Sequence, residues 1–168
     1  MEPDLLLPSE ALNQISSDEL ITESVRIEER QIQHGYSIGQ FNFLVKELTR
    51  AEIMEDNSIF PLPKTQPGLR GLINARGSLI PVFDLKQLLN IKKNQKEYIL
   101  VLGTEDDAVG IIIDSLPIQP SIKKQMQQTP PLHDAIKDYI SHTYMDEENL
   151  VWMDFDYASF FISLANRN

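Results

Sequence analysis

The chain has 168 residues, a formal net charge of -10 at pH 7 and no cysteine. Without cysteine it has no disulfide, thiolate zinc site or cysteine nucleophile, and its negative charge argues against a nucleic-acid partner, because phosphate binding needs a concentrated basic surface. No apolar run approaches the roughly 20 residues that span a bilayer, and the acidic N-terminus does not resemble a secretory signal, so we expect a cytoplasmic protein without direct membrane insertion.

Residues 1–29 are predicted to form an acidic extension. They carry eight acidic residues against one basic residue, Arg26. Such a composition is typical of a solvated, flexible tail, although weak apolar spacing between Leu12 and Ile21 also allows a short helix that tethers or docks a partner. We therefore divide the chain into an extension, 1–29, and a folded domain, 30–168.

The folded domain begins with a pattern that is typical of β-strands. Residues 32–38 alternate between apolar and polar, a turn follows at Gly39, and residues 41–45 alternate again. Residues 51–53 predict a third short strand. The proline-rich stretch 61–68 excludes a central strand or a helix interior.

The next segment contains a tight turn at Arg76–Gly77. We predict a short helical turn over residues 69–75, before it, and a strand over 78–84, after it. That strand has a proline in its middle, and because proline cannot donate a ladder hydrogen bond, we expect the strand at a sheet edge or a bulge. Apolar spacing over residues 85–89 predicts one or two helical turns, with Asp84 as the N-cap.

The C-terminal half predicts a hairpin, a further strand and a final helix. Residues 98–103 and 109–114 are apolar runs around a polar turn, as in a β-hairpin. Such runs are usually core, and we expect their alternate residues to divide between the core and an exposed groove for a partner. Prolines confine residues 117–131 to edges and loops. Residues 150–155 predict a strand and residues 156–165 a helix.

Many short strands at spacings near ten residues indicate a mainly β fold, built as a sandwich or as barrels, and not a βαβ sheet. The order of the predicted elements fits two small barrels that pack against each other.

The run Gly71–Leu85 fills every fixed position of the pattern G-x-x-N-x-R-G-x-x-x-P-[VI]-x-D-L. This pattern resembles the signature of the chemotaxis coupling proteins, the CheW-like domain family. Val109–Asp114 is similar to the family strand V-G-[IL]-x-V-D. Glu52–Ile53 also matches a family pair, whereas Arg50 stands where a β-branched apolar residue is more usual. The resemblance covers about residues 30–165.

The resemblance implies a particular fold and function. The fold would be two packed five-stranded SH3-like barrels with short helices and a C-terminal helix. The function would be that of a non-catalytic adaptor without a cofactor, which couples the cytoplasmic tip of a methyl-accepting receptor to the regulatory domain of a chemotaxis-type histidine kinase. The circuit would be chemotaxis, twitching motility based on type IV pili, or phototaxis, at receptor arrays beside the membrane.

The resemblance also implies a protein-binding site that contains Glu52, Asn74, Arg76 and Gly77. The residues by themselves allow a simpler interpretation. Gly77 would supply a positive φ to a turn that Asn74 closes with a local hydrogen bond, and Arg76 and Glu52 would be solvated charges. Arginine nevertheless suits a binding site, since its planar fork makes bidentate contacts.

The sequence offers no constellation for catalysis or metal binding. The spacing of His34, His133 and His142 gives no pair of metal ligands, and no nucleophile stands beside a base in a known motif. We therefore expect a protein that is not an enzyme and holds no metal. A small β-barrel that binds another ligand or a nucleic acid is the alternative, because a barrel fold does not by itself determine function.

Overall fold

The computed structural model describes residues 33–54, 58–63, 67–92 and 96–166, so the predicted extension lies outside the described residues. In the described part the strands are β1 (Gly35–Ile38), β2 (Phe41–Leu44), β3 (Ala51–Met54), β4 (Leu69–Ala75), β5 (Ser78–Phe83), β6 (Tyr98–Leu102), β7 (Val109–Ile113), β8 (Ile122–Gln125), β9 (Ile140–Asp146) and β10 (Val151–Phe155). The helices are α1 (Leu85–Leu88) and α2 (Tyr157–Ala165), with 3₁₀ turns at Glu105–Asp107 and Lys137–Tyr139.

The strands form two five-stranded sheets. The first sheet has the order β1-β2-β10-β9-β8 and the second β3-β6-β7-β5-β4. Each sheet contains one parallel pair, β2 with β10 and β5 with β7, and is otherwise antiparallel. The predicted fold class is therefore confirmed: a mainly β protein with two five-stranded sheets, short helices and a C-terminal helix. Neither described helix has the length and apolar character that crossing a membrane requires.

Several local predictions are confirmed. β1 and β2 form a hairpin, with Gly39 at a φ of 59° in its turn. β6 and β7 form the second hairpin, in register from Tyr98 opposite Ile113. Both helices begin at an aspartate: Asp84 accepts a hydrogen bond from the N–H of Lys86 at 3.1 Å, and Asp156 accepts one from Ser159. Short side chains with acceptor oxygens at an N-cap satisfy the free N–H groups of the first turn.

Residues 69–75 form strand β4, and the predicted helical turn is wrong. The strand pairs with β5 along its length, with a bulge beside Arg70. The bulge interrupts the alternation that marks a strand, and Leu69, Leu72 and Ile73 stand at the i, i+3, i+4 spacing of a helix face. The local pattern therefore indicated a helix where long-range pairing makes a strand.

The proline-bearing strand β5 is not at a sheet edge, which corrects the prediction from Pro81. It lies between β4 and β7. Pro81 stands opposite Leu72. Pairs with and without hydrogen bonds alternate along an antiparallel ladder, and counted from Ala75 and Ser78 beside the turn, Leu72 and Pro81 form a pair without them. The parallel register with β7 covers only Val82 and Phe83. The missing N–H of proline therefore falls outside both ladders, so an inner strand tolerates it.

Besides β4, strands β8 and β9 were not predicted from the sequence. β8 is an edge strand of the first sheet, as the prolines around it suggest for this region, and β9 lies next to it. Of the seven residues of β9, only Thr143 and Asp146 are fully buried. A strand with so little apolar burial has no clear period-two pattern, so its sequence carries no strong signal.

The described residues form two hydrophobic cores. The larger core joins both sheets and includes Tyr36 and Phe43 from the first and Leu100 and Ile111 from the second. The smaller core lies within the second sheet and draws on all five of its strands. Its buried residues, together with Met54 and Ala75, which pack against them, are in chain order Met54, Ile73, Ala75, Ile80, Val82, Ile99, Val101, Ala108 and Ile112.

One expectation about the hairpin β6–β7 is wrong for strand β7. Every residue of β7 is buried, because one face of the strand packs in the larger core and the other in the smaller. Ile111 and Ile112, for example, belong to different cores. Alternate residues therefore divide between two cores, and β7 contributes no exposed groove.

Candidate protein-binding site

The predicted site begins with a tight hairpin turn. Strands β4 and β5 are joined by Arg76 and Gly77, with Ala75 opposite Ser78. Both turn residues have positive φ, 53° and 88°, as a type I′ turn requires. The side chain of Asn74 accepts a hydrogen bond from the N–H of Gly77 at 3.1 Å. The predicted turn chemistry of Gly77 and Asn74 is thus confirmed.

Arg76 has an uncommon backbone conformation. Left-handed φ is disfavoured for side chains with a Cβ, and type I′ turns prefer Asn or Gly at this first position. Strain of this kind persists where the surrounding structure enforces it and is common at functional sites. Gly77, by contrast, needs its positive φ but not its small size, because a Cβ built there meets no atom within 4 Å.

Arg76 contacts Glu52 across an opening in the second sheet. Its Nη2 lies 2.9 Å from Oε1 of Glu52. Glu52 is on β3 and Arg76 follows β4, and these two strands are the opposite edges of the sheet. The contact therefore shows that the sheet curls until its edges approach each other, with an ion pair across the gap.

A second arginine reaches the same carboxylate. Nη2 of Arg50 lies 3.8 Å from Oε2 of Glu52, so each oxygen of the carboxylate faces one guanidinium. The side chains of Arg50, Glu52 and Arg76 are 54%, 39% and 66% exposed. At such exposure water screens the charges, and each pair stabilises the fold by less than about 1 kcal/mol. The ion pairs therefore orient side chains more than they hold the sheet together.

These charges stand at the rim of a groove of about 420 Å³. The groove opens at one end of the smaller core, between strands β3, β4, β5 and β6. It is lined by the three charged residues and by Met54, Ala75, Ser78, Ile80, Val101, Gly103, Thr104 and Ala108. The groove thus combines an apolar floor with a charged rim.

The outer face of the hairpin is apolar, which the sequence analysis missed. Leu72 stands opposite Pro81, and Asn74 opposite Leu79, and Phe60 forms a bridge with Leu72. Directly opposed residues share a face of the sheet, so these side chains lie together. Leu79 is 66% exposed and Phe60 59% exposed. The residues of β5 alternate between the two faces of the sheet in the sequence, but the exposed apolar face can be recognised only once the inner face is known.

The structure therefore brings together all four predicted site residues. Asn74, Arg76 and Gly77 share one turn, and Glu52 joins them from a strand that is distant in the sequence. What they offer is a directional set of polar groups beside an apolar surface. Within the described ranges, no group of three or more His, Cys, Asp and Glu side chains is arranged to hold a metal ion.

A family model, that of the CheW-like domain, matches residues 35–161. The chain belongs to the CheW-like domain family. The match runs from the first residue of β1 into helix α2 and so spans both sheets. The family resemblance found in the Gly71–Leu85 signature is thereby confirmed.

The chain is similar to several proteins named chemotaxis protein CheW. It is 36% identical to the one from Thermotoga maritima over 64 residues, which are 37% of this chain and 42% of that protein. It is 23% identical to the one from Treponema pallidum over 103 residues, 57% of this chain and 61% of the relative. The matched regions thus span less than two thirds of both relatives. For the Helicobacter pylori protein the identity is 25% over 113 residues, 66% of this chain and 67% of the relative.

A solved structure has the same CheW-like fold. It is the crystal structure of the scaffolding protein TtCheW from Thermoanaerobacter tengcongensis, which matches with a TM-score of 0.58 and 23% sequence identity. The match covers 77% of this chain and 90% of that one.

Proposed function

We propose that this CheW-like protein is a non-catalytic adaptor that couples a methyl-accepting receptor to the regulatory domain of a chemotaxis-type histidine kinase. Membership of the family supports this proposal, as do the relatives named for chemotaxis and the related structure described as a scaffolding protein. The adaptor acts in the cytoplasm and reaches receptor arrays through its partners. It makes no covalent change to either of them.

The single observation that carries the site assignment is the geometry of Arg76. The residue occupies the tip of a two-residue turn in a strained conformation, and its guanidinium is oriented by Glu52. A pre-oriented arginine loses less conformational freedom on binding than a freely rotating one. Beside it, Asn74 and the exposed Leu79 lie on one face of the hairpin. Arginine next to an exposed apolar surface is typical of a binding hot spot.

The adaptor transmits a signal by shifting populations. If one surface holds the receptor and another holds the kinase, a receptor conformation that favours one relative placement of the kinase changes the fraction of active kinase. Only differential affinity for the two placements is needed, and no chemical step takes place on the adaptor.

The first test measures binding of the full chain to two partners from the same genome, the kinase regulatory domain and the receptor tip. Isothermal titration of the parent and of Arg76→Asp is expected to show binding that the substitution abolishes for at least one partner. Lys137→Asp is the matched control, since Lys137 is also a half-exposed cation paired with an acid but lies outside the groove. The control is expected to bind like the parent.

Each outcome has a separate meaning. Loss of binding in Arg76→Asp but not in Lys137→Asp supports both the adaptor function and the site. Equal binding by the parent and both variants supports the adaptor function but shows that Arg76 is not part of the binding site. Absence of binding by the parent to either partner overturns the adaptor function, and salt-dependent binding to single-stranded RNA would then favour the alternative of a nucleic-acid module.

The circuit and the role of the extension belong to the same proposal. Purification of the tagged protein from its source cell, followed by identification of the kinase and receptor, distinguishes chemotaxis from twitching motility or phototaxis. We also propose that partner binding resides in residues 30–168. A variant that lacks residues 1–29 is then expected to bind both partners like the full chain, and a weaker variant would assign a docking role to the extension.

A further inference from the structure

We propose that Arg50 makes the groove at the rim of the second sheet a receptor for one acidic side chain of the protein partner, flanked by an apolar residue that enters the groove. This inference rests on the proposed adaptor function and names the partner chemistry at the same site. It concerns a residue at which this chain departs from the family pattern, in which a β-branched apolar residue is more usual.

Arg50 is held in place at the start of β3. Its carbonyl oxygen accepts a hydrogen bond from the N–H of Gly103 at 2.9 Å, which fixes the backbone between the strands that flank the groove. Its guanidinium points to Glu52, at 3.8 Å. This distance is beyond a hydrogen bond, which for N–H and oxygen measures about 2.7–3.2 Å. Arg50 is thus attracted to Glu52, while the N–H groups of its guanidinium are still available to a second carboxylate placed beside that of Glu52.

The charges that line the groove do not balance. Arg50 and Arg76 are positive, Glu52 is negative, and the remaining lining residues are neutral. One carboxylate therefore stands between two guanidinium groups, and the rim has an excess of one positive charge. On a chain with a net charge of -10, such a rim is a local exception. A carboxylate from a partner would neutralise it and complete a four-group network of two cations and two anions.

The neighbourhood selects for a single acid rather than an acidic run. Asp106 and Asp107 are exposed in the 3₁₀ turn that follows Thr104 at the groove wall. Neither aspartate lines the groove itself, but an acidic run that extended past the two arginines would bring its further carboxylates towards them, where like charges repel. The floor below the two arginines is apolar, with Met54 and Ile80 among its residues. The fitting occupant therefore presents one Asp or Glu beside an apolar side chain.

The test uses the full chain and the same two probes, the kinase regulatory domain and the receptor tip. For the partner whose binding depends on Arg76, Arg50→Glu is expected to weaken binding by about tenfold or more, since it replaces an attraction by a repulsion. Arg50→Val, which introduces the residue type usual in the family, is expected to weaken binding roughly fivefold. It is also expected to lower the salt dependence of binding. Lys137→Glu, with the same change in charge, serves as the control.

A complementary exchange identifies the acidic residue. Exposed Asp and Glu residues of the partner are changed to Lys one at a time, and one of these variants is expected to recover binding to Arg50→Glu while losing binding to the parent. Circular dichroism checks that each variant is folded. The Arg50 variants are expected to fold like the parent, because the Arg50 side chain is half exposed.

Two results would overturn the inference. If Arg50→Glu binds as tightly as the parent while Arg76→Asp does not bind, the adaptor and its site stand but the groove takes no carboxylate. Benzoate, an acid on an apolar ring, is titrated into the free protein. If it binds saturably and the Arg50 variants bind the partner as tightly as the parent does, the groove is a site for a small molecule. Loss of the adaptor function itself would appear differently, as failure of the parent chain to bind either probe.

Discussion

The ammonium group of the buried Lys86 lies against a carboxylate oxygen of Asp114, whose side chain is 10% exposed. The other oxygen of Asp114 accepts a hydrogen bond from the N–H of Gly39 at 2.6 Å, and Oε1 of Glu97 lies 3.5 Å from the Lys86 nitrogen. Lys86 and Asp114 follow strands of the second sheet, whereas Gly39 belongs to the first hairpin. Asp114 therefore links the two sheets through its contacts with Lys86 and Gly39, and the burial of Lys86 makes a missing partner costly.

The first prediction concerns this pair. Lys86→Met is expected to lower the free energy of unfolding by about 3–5 kcal/mol, because it leaves the carboxylate of Asp114 without its cation inside the protein. Urea denaturation measures the change. Lys92→Met, at an exposed lysine six residues away, is expected to stay within about 0.5 kcal/mol of the parent. Equal effects of the two substitutions would mean that the buried pair does not secure the sheets.

The second prediction separates stability from function at Arg76. Arg76→Asn creates the Asn-Gly sequence that type I′ turns favour and removes a left-handed arginine, at the loss of an exposed ion pair. We expect the free energy of unfolding to rise by about 0.5 kcal/mol, since the relieved strain exceeds the pair's contribution. Binding to the partner at this site is expected to weaken nonetheless. Thermal unfolding and titration measure the two effects, and a variant that is less stable but binds normally would contradict both.

The third prediction concerns the outer face of the hairpin. Leu79→Ser is expected to leave stability within about 0.5 kcal/mol of the parent, because the side chain is largely exposed. It is expected to weaken partner binding, since a partner that buries this leucine gains apolar contact area. Ile162→Ser is a matched control at another exposed apolar residue, on helix α2. Equal binding by both variants would place the docking surface away from β5.

The fourth prediction concerns pH. Burial raises the pKa of Asp156, but hydrogen bonds from Ser159 and the charge of Lys46 outweigh it and lower the pKa below its ordinary value. A carboxylate whose pKa is depressed by folding contributes stability above its unfolded pKa and loses it as pH falls through the folded pKa. At neutral pH, Asp156→Asn is thus expected to cost less than about 1 kcal/mol, after allowance for solvent screening.

This difference is expected to vanish when the two proteins are compared at pH values below the folded pKa of Asp156. Urea denaturation of parent and variant across the acidic range measures it. A difference that stays constant down to the most acidic pH would show that the cap acts through hydrogen-bond geometry alone and not through its charge.

Most elements that were predicted correctly depend on interactions within a few residues. The N-caps at Asp84 and Asp156 and the turn at Arg76–Gly77 each use a side chain and a backbone group close in the chain. The hairpin β6–β7 needs only a short connection between two apolar runs. Local chemistry of this kind is written directly in the sequence, and so is the signature that identified the family.

The tertiary structure alone decided the features that depend on distant partners. Residues 69–75 have helical spacing but become a strand because β5 offers them a ladder, and Pro81 is accepted inside the sheet because the pairing with β7 begins one residue later. The contact of Glu52 with Arg76 joins residues that are 24 positions apart, and it exists because the second sheet curls until its edges meet. No local pattern encodes that curvature, since it results from filling the smaller core with side chains from all five strands.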